Sequence, residues 1–141
     1  MTRNVVAIFV GVIVAVIIVF AVEWIGHSLF PVVVNPDYND PDGLAELVKS
    51  LPIGALLFVP LAWFLGSLCG GVVAVFVSKD HALIMASIVS AFILTAAIAT
   101  LMAIPHPLWL VILGIGSIIL STIIASRIGS RFFHGGANLN E

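Results

Sequence analysis

Three side chains in this sequence have the types and the spacing to act together: Glu23, His27 and His106. Glu23 and His27 are four residues apart, which on a helix places them on one face, within reach of a hydrogen bond or a shared ligand. On a helix counted from Val5 at about 1.5 Å per residue, Glu23 stands about 27 Å along and His27 about 33 Å, at the far boundary of a hydrocarbon layer of about 30 Å. His106 closes a later apolar stretch, about 36 Å from Ala82 on the same scale, and so reaches the same level. A carboxylate and two imidazoles can hold a zinc-like cation with a water in the fourth position. They can also meet a quinone-like headgroup or relay a proton. The competing account is plainer: Glu23 pairs with His27 at the interface, and His106 occupies a turn stiffened by Pro105 and Pro107.

Other chemistries find little support in the chain. The single cysteine, Cys69, sits inside an apolar run, which excludes an intrachain disulfide and a cysteine metal cluster. Asp37, Asp40 and Asp42 lack the remaining positions of a calcium loop and read as a solvated turn. No Ser-His-Asp arrangement presents itself, and two histidines without a further signature do not make a haem site. With 7 acidic and 5 basic residues the net charge is −2, so there is no basic surface for nucleic acid. No motif names a reaction. The chain therefore leans away from catalysis, and no cofactor is the simplest expectation.

The elements that must position these residues are set by composition. Hydrophobic residues make up 62% of the chain and charged ones 9%, whereas soluble domains are near half apolar and about a quarter charged. A lipid bilayer is the implied surrounding. Uncharged apolar stretches of spanning length run from Val5 to Val22, Ile53 to Val77, Ala82 to Ile104 and Leu108 to Ser126. A barrel would need alternation, and Val12 to Val19 is apolar at every position. The first run is longer than the ~7 to 15 residues of a signal-peptide core and reads as a retained helix. The expected fold is thus an all-α membrane protein. A single membrane domain is expected over 1–141, with helices at about 4–30, 53–77, 82–104 and 108–127 and an outer loop over 31–52. Within that loop Leu44, Leu47, Val48 and Leu51 follow helical spacing, so 44–50 is predicted to be a short amphipathic helix on the membrane surface. The other links, Ser78 to His81 and Pro105 to Pro107, are tight and favour an up-and-down four-helix bundle.

Arg3, Lys79, Arg127 and Arg131 fall on one side of that bundle and only Lys49 on the other. Both termini are therefore expected in the cytoplasm. Trp24 and Trp109 then reach the outer headgroup level, and Arg131-Phe132-Phe133-His134 reads as a surface anchor on the inner side. Small residues at spacing four mark the close helix contacts: Gly66, Ser67, Gly70 and Gly71 in the second membrane helix, and Gly114, Ser117, Ser121 and Ala125 in the fourth. The third carries Ala86 and Ser90 on one row and Ala91, Thr95 and Ala99 on another. The second to fourth helices are expected to form the packed core. The Val- and Ile-rich first helix, with Gly11 as its main small interruption, is expected to turn more of itself to lipid or a partner.

Glu23-Trp24-Ile25-Gly26-His27, Leu51 to Leu57, Trp63 to Gly71 and Pro105-His106-Pro107-Leu108-Trp109 together resemble a family of small, uncharacterised four-helix bacterial membrane proteins. The resemblance spans most of the chain. It implies the bundle and a bacterial inner membrane, and brings no activity or functional residue. Two classes of function follow from the residues. The first is a non-enzymatic structural or accessory subunit, held by lipid and by other membrane subunits or copies of itself. The second is a site-bearing protein that binds a metal, a quinone-like headgroup or a proton at Glu23, His27 and His106. A small transporter is a third class, although no helix shows paired midplane charges. The first class asks for nothing beyond the composition and is the primary expectation.

Overall fold

A computed structural model describes residues 2–31, 37, 40–79 and 81–135, with the side chains of 133–135 left aside. The expected turns at 32–36 and 38–39, and the tail beyond Gly135, lie outside the described residues. Five helices follow in order: α1 (Thr2–Leu29), α2 (Pro41–Ser50), α3 (Ile53–Ser78), α4 (Ala82–Ala103) and α5 (Leu108–Gly135). All but α2 are long and apolar enough to cross a membrane. Their β-branched content is no obstacle, because lipid offers no partner for an open strand edge and helix satisfies the backbone internally.

Two boundaries differ from expectation for local reasons. α2 begins at Pro41 rather than 44, since Asp40 is extended at its N-cap and proline, with φ already fixed, suits the first helical turn. α5 runs on to Gly135, past the end of the apolar stretch at Ser126. Arg127 and Arg131 interrupt the hydropathy pattern without interrupting the backbone ladder.

The helices meet through small residues. A Cβ at Gly11 would stand 2.7 Å from the Gly70 carbonyl oxygen and 2.8 Å from Ala74 Cβ, and one at Gly70 would stand 2.5 Å from the Gly11 oxygen. Backbones at that distance exclude any side chain, which is the use of small residues at helix crossings. Further along, Ser78 Oγ donates to Asn4 Oδ1 at 2.9 Å, and Gly26 packs against Phe58. Contacts that pair rising numbers on α1 with falling numbers on α3 make these two helices antiparallel. The core expected of α3 to α5 also takes in α1 through Ala15, while α1, as expected, turns more of itself outward than any of the other three long helices. α1 buries Ala7, Gly11 and Ala15 as one stripe against α3, while Phe9, Ile13, Ile17 and Phe20 remain exposed on its other sides. The same spacing of four that marks α3 was present in α1, half hidden among Val and Ile.

On its other side α3 meets α5. Gly114 leaves room for the Trp63 ring, Gly71 faces Ala125 and Ala86, and Gly129 packs on Val75. Trp63, Val75, Met85, Val89, Ile93 and Ile118 fill the centre. The Ser117 hydroxyl lies 2.7 Å from the Gly114 carbonyl and 3.3 Å from that of Pro60, tying α5 to α3 at the proline. Ser121 donates to Ile118 within its own helix. Ser67 and Ser90 are buried with hydroxyls that have no partner among the described residues.

At one end of the molecule Asn4, Ser78, Ala82 and Gly129 lie close together through these contacts. The opposite end gathers the close of α1, the start of α3, the close of α4 and all of α2. Phe30 and Phe58 brace this end edge to face, their ring centres 6.1 Å apart.

Candidate functional site

Glu23, His27 and His106 border one space without being grouped around one point. All three line a cavity of about 620 Å³ at the end covered by α2. Glu23 and His27 project from the last turns of α1, half-buried and exposed respectively. His106 is half-buried in the turn between α4 and α5, where Ile104, extended and capping α4, releases the chain toward Pro105. Its Nδ1 lies 2.6 Å from the Ile104 carbonyl oxygen, so the imidazole is fastened to its own turn.

The walls of the cavity are apolar. Gly26, Phe30 and Phe58 line it together with Ala55, Leu56 and Val59 of α3. α2 supplies Leu44, Leu47 and Val48, followed by Leu51. That placement corrects the expectation of a helix resting its apolar face on the membrane surface. Leu44 and Val48 are 4% and 6% exposed, turned onto the protein, and Val48 packs with Leu56 and Leu110. The pattern in the sequence identified which face was apolar, and could not say whether lipid or protein covered it. Among the described residues no other helix brings its backbone near that of α2, which reaches the bundle through side chains alone.

Thr100 joins the polar groups from α4, its hydroxyl donating to the Ala96 carbonyl at 3.1 Å. No spacing in the sequence links Thr100 to His106 or Glu23, and a threonine within an apolar helix is ordinarily satisfied by its own backbone. Only the packing of α4 against its neighbours reveals that it lines the cavity.

Among the described residues no three His, Cys, Asp or Glu side chains are grouped to hold an ion. Glu23, His27 and His106 stand around a space much larger than a coordination sphere. Of the packing residues read from the sequence, Gly66 and Gly70 serve the α1 contact, Gly71 and Gly114 the α4 and α5 contacts, and Ser67, Ser117 and Ser121 lie in or beside the same seams.

No family model matches the chain, and neither a curated protein nor a solved structure matches it at a significant level. The short-motif resemblance therefore brings no ligand to the cavity, whose chemistry rests on its own residues.

Proposed function

We propose that this is an integral protein of a bacterial inner membrane that binds one amphiphilic molecule in the cavity beneath α2. The observation that carries the reading is the joining of an apolar wall to the acid and imidazole side chains of Glu23, His27 and His106 in one space of about 620 Å³. Small-molecule sites have volumes of roughly 300–1,000 Å³, mostly apolar with a few convergent polar groups. A molecule with a polar head and a hydrocarbon tail fits both parts. The proposed setting has the four long helices crossing in up-and-down order with both termini cytoplasmic, supported by the four-to-one division of Lys and Arg. The cavity then opens at the outer leaflet, where amphiphiles are abundant.

A second reading is a non-enzymatic subunit of a larger complex or a homo-oligomer. It is favoured by α4, whose Ala91, Thr95 and Ala99 form a small-residue row that stays exposed while Ala86 and Ser90 are buried in the bundle. One experiment addresses both. Native mass spectrometry of protein purified in mild detergent is expected to show one retained lipid-sized adduct per chain, lost in Ala55→Phe, which adds bulk to the cavity lining. An unliganded parent would refute the amphiphile reading. A multiple of the chain mass or a co-purifying protein would support the subunit reading.

A further inference from the structure

Of the four polar side chains that line the cavity, His27 can donate through its ring N–H, while Glu23, Thr100 and His106 offer acceptors. His106 Nδ1 stands 2.6 Å from a carbonyl oxygen, which only accepts, so Nδ1 carries the ring proton and Nε2 of the neutral imidazole is left as an acceptor. The Thr100 hydroxyl proton is directed to the Ala96 carbonyl, leaving lone pairs. The Glu23 carboxylate accepts at both oxygens. Acceptors thus line the cavity from three separate elements, and one of them is a carboxylate. A phosphate or a quinone carbonyl, itself an acceptor, finds no committed donor in these three groups.

Resting on the amphiphile reading above, we infer that the cavity selects a head that donates hydrogen bonds and carries positive charge, a primary ammonium on an apolar tail. The ammonium has three donors; Glu23 supplies the opposite charge, and His106 and Thr100 are further acceptors along the same wall. Apolar side chains of α2 and α3 then cover the start of the tail, and the remainder lies in the leaflet. His27, more exposed, stands at the rim.

The comparison of phosphatidylethanolamine with phosphatidylcholine of the same chains addresses this point, because the two heads carry the same charges and differ in bearing three N–H or three N-methyl groups. In native mass spectrometry of the delipidated full chain, phosphatidylethanolamine is expected to be retained about tenfold better, the scale of one hydrogen bond to a charged group. Glu23→Gln should bring the ratio close to one, whereas Lys49→Gln, altering an exposed charge on α2, should leave it unchanged. If Glu23→Gln fails to fold, Thr100→Val tests the same point through a smaller loss. Equal retention of the two lipids would overturn the donor inference and leave the cavity reading standing. Preference for phosphatidylglycerol would overturn it in favour of a hydroxyl head. Retention of no lipid would overturn the amphiphile reading itself.

Discussion

Lys79 and His81 adopt left-handed backbone angles, φ 57° and 42°, in the turn between α3 and α4. A residue with a Cβ gives up roughly 1 kcal/mol in that region, and glycine does not. His81→Gly should therefore hold or raise the melting temperature in detergent, by up to about 1 kcal/mol at the transition; a clear fall would show that the His81 side chain makes a contact that outweighs the relief. The candidate site divides at this same scale into what the sequence displayed and what it withheld. Glu23 and His27 were visible because helical spacing alone puts them together. His106 was visible in depth, through the length of its helix. Its role as an acceptor was not, since that depends on the angle at which the chain leaves α4 and brings the Ile104 carbonyl to Nδ1. Thr100 gave no signal, because nothing local separates a threonine beside a cavity from one facing lipid.

Among the helices, α1 and α3 are the pair in which a glycine most closely faces its neighbour's backbone. A Cβ at Gly70 would meet the Gly11 oxygen at 2.5 Å and Ala15 Cβ at 2.6 Å, both on a backbone or a side chain too short to move aside. Gly70→Ala should destabilise by about 1–3 kcal/mol, the usual cost of overpacking. Gly116 is the internal control: nothing lies within 4 Å of a Cβ there, so Gly116→Ala should be neutral or stabilise by up to about 1 kcal/mol through helix propensity. Equal melting temperatures for Gly70→Ala and the parent would remove the tight crossing. The long helices were legible from hydropathy within a few residues, except where charge ended the pattern before the helix ended, as at Arg127. Partner choice was less legible. Ala7, Gly11 and Ala15 repeat at four like the small residues of α3, but β-branched neighbours on every side make the row look like one more lipid-facing strip.

For the molecule as a whole, orientation rests on charge. In a Cys69→Ser background, a cysteine replacing Ser50, exposed at the end of α2, should react with an impermeant thiol reagent on intact cells, and one replacing His81 should not. The reverse pattern would place the cavity on the cytoplasmic side. The attachment of α2 has a further kinetic consequence. A helix that touches the bundle only through Leu44, Val48 and their neighbours can lift without disturbing any crossing between the long helices. Such a segment opens with a local free energy well below that of the whole fold. For the proposed ligand, dwell time would then be set by how tightly Leu44, Val48 and their neighbours hold one short helix, rather than by the crossings of the four long ones.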